Sequence, residues 1–187
     1  LAGHAGAGAV GLGPAEPEAL QAVIAHARRM SAYVVLDLPH AWNAWIKQAL
    51  LGADDIVIVS GPDLASLRNT DNMLKLLRSE PGRVASPVVA LSMVGVPKRP
   101  EIALKDFSEA LVLTPSATFA FDPGLYTSAS MAGQSIYEAA PASKAARALD
   151  ALATQLTGRE AVETKAAPVT ALPTLAELGI EPSELET

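Results

Sequence analysis

No cysteine occurs anywhere in the 187 residues. That excludes disulfides, thiolate zinc sites and thiol catalysis, and it fits a reducing compartment, so the expected location is cytoplasmic. Histidine is almost as scarce: His4, His26 and His40 share no metal-ligand spacing, and a zinc centre is not expected. No apolar run reaches the roughly 18 residues that cross a bilayer, and the first residues lack the basic flank of a signal peptide, so no transmembrane segment is expected. Lys and Arg number 14 against 20 Asp and Glu, a net charge of −6. A surface built to neutralise phosphates would need the opposite balance, and nucleic acid is not an expected partner. The chain also has no Gly-Lys pair, hence no phosphate loop of the G-K-[ST] type, and no G-x-S-x-G nucleophile elbow. What remains is 50% hydrophobic and 18% charged, the balance of a globular chain able to bury one core.

Apolar runs and helical stretches alternate along the chain. Leu20, Val23, Ile24 and Ala27 form one stripe of a helix over residues 16–30, after Pro14 and Pro17. Tyr33-Val34-Val35-Leu36-Asp37-Leu38 reads as a strand covered on both faces, ended by Pro39. A helix is expected near 44–51, then a strand at Ile56–Val59. A third helix is capped by Asp63, buries Leu64, Leu67, Leu74 and Leu77, and is stopped by Pro81-Gly82. Val88–Leu91 is a further strand, 104–111 a helix and 116–121 a fourth strand. Asp122-Pro123-Gly124 turns the chain into a short segment, and a last helix over 143–157 ends at Gly158. Residues 159–187, rich in Ala, Pro, Thr and Glu, read as a flexible tail with one short turn near 175–178. Four repeats of strand and helix predict an α/β fold, a three-layer parallel sheet with the site at the carboxyl ends of its strands.

Each motif on that rim has a bland reading beside the chemical one. Gly6-Ala7-Gly8-Ala9-Val10-Gly11 satisfies G-x-G-x-x-G, yet Glu16 and Glu18 at the next helix would repel a pyrophosphate, so a loop is the expectation. Asp37, an acid closing an apolar strand, stands where P-loop enzymes organise Mg²⁺, or else caps the helix after Trp42; position alone does not choose. Trp42 and Trp45, three apart, would share a helix face, packed in the core or set out for a partner. Arg28-Arg29 and Lys98-Arg99 read as solvated faces.

Taken in order, Asp37-Leu38-Pro39-His40-Ala41-Trp42, Ala53–Val59, Pro62–Asn69 and Val94–Ile102 resemble the CpaE/TadZ pilus-assembly proteins, relatives of the MinD/ParA deviant-Walker ATPases. The resemblance runs on through Lys105-Asp106-Phe107, Phe121-Asp122-Pro123 and Gly133-Gln134, covering about residues 15–158. It implies a P-loop NTPase-like sheet, incomplete on its N-terminal side because the family's Walker A loop and receiver-like domain have no counterpart in this chain. Residues 1–158 would then be the C-terminal part of a longer ATPase domain.

By the same resemblance Asp37 is the acid near Mg²⁺, directly or through water, and would be the catalytic residue of an active enzyme. Pro39 belongs to the switch after it, and Ser92, Phe121, Asp122 and Pro123 fall in the nucleotide-binding region. Asp63, Ser66, Arg68 and Trp42 fall near the dimer interface. The implied cofactors are ATP and Mg, the implied partners a second copy and pilus secretion machinery proteins, and the implied location a cell pole near the inner membrane. Two departures stand out. Ser92 replaces the family's adenine-reaching asparagine, losing one hydrogen bond of about 1 kcal/mol, and Ala120-Phe121-Asp122 replaces Pro-Phe-Asp. The expected function is pilus assembly and localisation through dimerisation and partner binding, with ATP as ligand. The alternatives are an active ATPase once joined to a Walker A segment, and a generic α/β binding domain.

Overall fold

The computed structural model describes residues 17–80 and 86–159. In chain order these form helix α1 (Pro17–Met30), α2 (Ala44–Leu51), strand β1 (Val57–Ser60), α3 (Leu64–Ser79), β2 (Val88–Val94), α4 (Leu104–Leu111), β3 (Ala117–Ala120), α5 (Pro123–Met131), α6 (Ile136–Ala139) and α7 (Lys144–Thr157). The strands are ordered β1-β2-β3. Two compact units share the chain. The first comprises the described residues up to Ser92 with Lys98–Ser116, and the second Met93–Pro97 with the described residues from Ala117 on.

In the first unit β1 and β2 run parallel, Val57 opposite Val88 and Ser60 opposite Leu91. Val89, Ala90 and Leu91 are successive residues and therefore point to both faces of the sheet, yet none exceeds 2% exposure, the mark of a strand covered on both sides. Helix α3 lies against β1. It buries Leu74 and Leu77 and sets Thr70 Oγ1 to donate to Ser60 Oγ at 2.8 Å, so two hydroxyls inside an apolar contact satisfy each other. Helix α2 starts where Asn43 Oδ1 accepts from the Ile46 N–H at 3.1 Å and buries Ile46 and Ala49. Helix α1 packs on α2, and Arg28 reaches Asp54 at 2.8 Å. The largest fully buried side chain is Phe107 of α4, four residues before buried Leu111 on the same helix face.

In the second unit the Phe121 N–H donates to the Val94 carbonyl at 2.7 Å beside the end of β2, and α7 packs on β3 with Ala146 fully buried. Ser143 caps α7 and Gly158, at φ 66°, closes it in the left-handed region that glycine adopts without strain. Ser135 and Glu138 form a reciprocal capping box at the start of α6.

The expected strands at 56–59, 88–91 and 116–121 and the helices at 16–30, 44–51, 104–111 and 143–157 are present within a residue or two at most ends; β2 runs three residues further, to Val94. Tyr33–Leu38 is a correction: the backbone there forms no strand, because no described strand pairs with it, and Val35 is left 93% exposed. A second correction concerns the segment after Asp122, which is not a turn with irregular chain but helix α5, capped by Asp122 with Pro123 in its first turn. Trp42 precedes α2 and does not share a helix with Trp45. The Gly6–Gly11 motif, Pro81-Gly82 and the tail from Glu160 lie outside the described residues.

Candidate functional site

Four backbone stretches that end or follow apolar runs carry the candidate residues. The best defined is the turn after β1. Asp63 leaves the turn in extended conformation and accepts from the Ser66 N–H at 2.9 Å, while Ser66 Oγ donates to its second oxygen, also at 2.9 Å. These bonds favour the carboxylate, so Asp63 titrates below its ordinary range, chiefly through the Ser66 N–H, then its hydroxyl, with the Arg99 charge adding to both. At Gly61 a Cβ would stand 2.9 Å from Asp63 Oδ2 and 3.2 Å from Ser66 Oγ, so a larger residue would press on this cap. Pro62 is fully buried, and its carbonyl accepts from the Ile102 N–H at 2.8 Å, tying this turn to the loop before α4. Arg99 in that loop meets Glu101 at 2.9 Å and is only 30% exposed, which corrects the reading of Lys98-Arg99 as a solvated face. The signal in the sequence is the two-residue spacing of Arg99 and Glu101 on either side of Pro100.

Of the four residues placed at a dimer interface, Asp63 and Ser66 are thus brought together as a helix cap. Arg68 is exposed one turn further along α3, and Trp42 is 42% exposed in the segment before α2. Asp37, Pro39 and His40 are exposed on the extended run that leads there. The Asp37 carboxylate takes no hydrogen bond from a described residue, and since Asn43 caps α2, the reading of Asp37 as that helix's cap is excluded.

Ser92 is half-buried near the end of β2 in the first unit. In the second unit Met93 takes φ 59° and Gly95 φ 86°, so the backbone kinks as the strand ends. There Phe121 is half-buried, while Asp122 and Pro123 are exposed at the start of α5, with Asp122 Oδ1 accepting from the Leu125 N–H at 3.0 Å. Tyr126, one turn into α5, has its phenol pushed up by burial and by the nearby Asp122.

Magnesium is a hard cation that is content with one or two carboxylates, water and substrate phosphates, and the exposed, uncommitted Asp37 fits that role. Among the described residues no group of three or more His, Asp or Glu gathers around a metal position. The phosphates are another matter. With no Gly-Lys pair in the sequence, the residues present fit the cation side of a nucleotide site and do not supply its phosphate cradle.

No protein-family model matches the chain. The septum site-determining protein MinD of Bacillus subtilis (strain 168) is 28% identical over 64 residues, 34% of this chain and 24% of that protein. Among solved structures, the ParA family ATPase from Chlorobium tepidum TLS superposes with a TM-score of 0.64 at 21% identity, over 77% of this chain and 57% of that one. A chain of the MinC:MinD cell division protein complex from Aquifex aeolicus gives 0.63 at 18% identity over 81% and 63%. MinD with Mg-ADP from Pyrococcus horikoshii OT3 gives 0.62 at 20% identity over 76% and 57%. The chain therefore spans less than two thirds of the length of these proteins. The likeness shows the fold: an α/β fold with a parallel sheet, of the MinD/ParA P-loop NTPase type.

Proposed function

We propose that this chain is part of a pilus assembly and localisation protein of the Flp/Tad secretion system, working as a MinD/ParA-like scaffold through dimerisation and partner binding. One observation carries the reading: the ordered blocks Asp37–Trp42, Ala53–Val59, Pro62–Asn69 and Val94–Ile102, with their CpaE/TadZ resemblance, fall on a chain of MinD/ParA fold. That one solved relative is a MinC:MinD complex and another holds Mg-ADP supports partner binding and a nucleotide ligand here. On this reading Asp37 faces Mg²⁺, Pro39 belongs to the switch behind it, and Ser92, Phe121, Asp122 and Pro123 serve the nucleotide. Arg68 and Trp42 present exposed side chains to the second copy, while Asp63 and Ser66 shape the helix start beside them. The site of action is the cytoplasmic side of a cell pole. No helix of the described residues is long and apolar enough to cross a membrane.

Calorimetry with Mg-ATP on the longest natural form of the protein, with Asp37→Ala as control, tests the reading. Micromolar binding that the control loses supports a nucleotide-responsive scaffold, and turnover lost with it identifies an active ATPase. Absence of binding at millimolar ATP removes nucleotide from the function. A dimer that survives Arg68→Glu and Trp42→Ala overturns the interface assignment.

A further inference from the structure

Two helix starts of the first unit are fastened to each other through their loops. The turn after β1 leads into α3, residues 98–103 lead into α4, and the two helices pack together. The Ile102 N–H donates to the Pro62 carbonyl at 2.8 Å, a bond outside every helix and strand, and Pro62 is fully buried. Arg99 holds Glu101 at 2.9 Å, and its charge is felt at Asp63, the neighbour of Pro62. The loop is also costly to shape. Lys98 stands at φ 61°, in the left-handed region that a residue with a side chain enters against steric repulsion. Pro97 and Pro100 fix φ around it, so the loop has few other forms to relax into. A strained backbone persists only where its surroundings over-determine it. Arg99 and Ile102, one and four residues on, supply such holds.

What they hold is the first turn of α3. The Asp63 carboxylate accepts from both the Ser66 N–H and the Ser66 hydroxyl at 2.9 Å, and Gly61 leaves it no room on the other side. The cap therefore admits one placing of Asp63, and whatever displaces Pro62 displaces its neighbour as well. We infer that the 98–102 loop is a clamp on the start of α3, with Arg99 as a positioning residue: holding or releasing the loop tightens or frees the first turn of that helix. Lys98 and Pro100 stand exposed on the loop, within reach of a partner that could act on it. On the dimer reading, and only on it, the clamp also governs the contact with the second copy, because exposed Arg68 lies one turn further along α3. The clamp itself depends on neither nucleotide binding nor pilus assembly.

Residue-resolved hydrogen exchange on the natural full-length polypeptide tests it. Arg99→Gln should speed exchange of both the Ile102 and the Ser66 amides on the order of 10-fold, and leave unchanged the Ile46 and Ala146 amides, which are held by the caps of α2 and α7. Arg99→Lys, which keeps the charge, should recover most of the protection. Coupling is reciprocal, so Asp63→Ala should speed the Ile102 amide although it removes none of that amide's partners. A change at Ile102 alone in Arg99→Gln overturns the inference, as does an Ile102 amide indifferent to Asp63→Ala. Equal loss at Ile46 and Ala146 also overturns it, in favour of a general stabilising role for Arg99. Sedimentation of Arg99→Gln addresses the dimer reading separately: a dimer unchanged beside coupled exchange upholds the clamp and removes only its link to the second copy.

Discussion

Replacing Asp63 separates its role as a helix cap from any role at an interface. Asp63→Ala deletes the acceptor of the Ser66 N–H and of the Ser66 hydroxyl, both at 2.9 Å. Loss of an N-cap costs about 1 kcal/mol, within a range of roughly 0.5–2, and the second, charge-assisted bond places this cap toward the upper end. For a chain of this size that corresponds to a fall in Tm of about 3–8 °C. Asp63→Asn keeps the capping oxygen and should recover most of the loss, since Asn caps about as well as Asp. The remaining difference between wild type and Asp63→Asn is the contribution of the charge, and it follows pH in a fixed direction. The folded carboxyl lies below its unfolded value, so this contribution is fully present above about pH 3.9 and is lost as pH falls through the folded value. Urea unfolding of the three proteins at several pH values between about 3 and 7 measures both effects. Equal stability of Asp63→Ala and wild type, or a wild-type advantage over Asp63→Asn that grows as pH falls, would refute the reasoning.

Two further substitutions probe the same turn and the core beneath it. Gly61→Ala drives a Cβ against the Asp63–Ser66 cap and should cost about as much as losing that cap; in an Asp63→Ala background most of this cost should vanish, a coupling of about 1 kcal/mol in a double-mutant cycle, and additive costs would show that the two residues act separately. Phe107→Ala empties the most deeply buried aromatic position of the first unit and should lower unfolding free energy by about 3–5 kcal/mol in urea titration; a loss under 1 kcal/mol would mean that Phe107 is not the centre of that core.

Much of the fold was legible because local signals agreed with tertiary demand. Ile56–Val59 and Val88–Leu91 are short, β-branched and bounded by turn residues, and Asp63 fixes the start of α3, whereas of its expected buried leucines Leu74 and Leu77 are buried, Leu67 is half-buried and Leu64 in the first turn is 55% exposed. Tyr33–Leu38 carries the same strand signal and did not become a strand, since a strand exists only beside another edge and sequence does not say whether that edge is at hand. Helix α5 was missed for the opposite reason. Pro-Gly-Leu-Tyr-Thr-Ser-Ala-Ser-Met has no apolar stripe and buries only Ala129, although Asp122-Pro123 is itself a start signal for a helix. At the candidate site, Asp63 was readable as a cap from its position alone. The approach of Arg99 and the Pro62–Ile102 bond were not, because they join turns that lie some 40 residues apart in sequence.

The Ser60–Thr70 bond has a consequence for how strand and helix can move. A purely greasy contact between β1 and α3 could slip by part of a turn and trade one set of apolar neighbours for another at small cost. With a hydroxyl on each surface, any such slip strands two polar groups away from water. The contact therefore behaves as a key in a slot: α3 can leave β1, but it cannot slide along it, and the turn between them, with Gly61 and Asp63, is held at one angle.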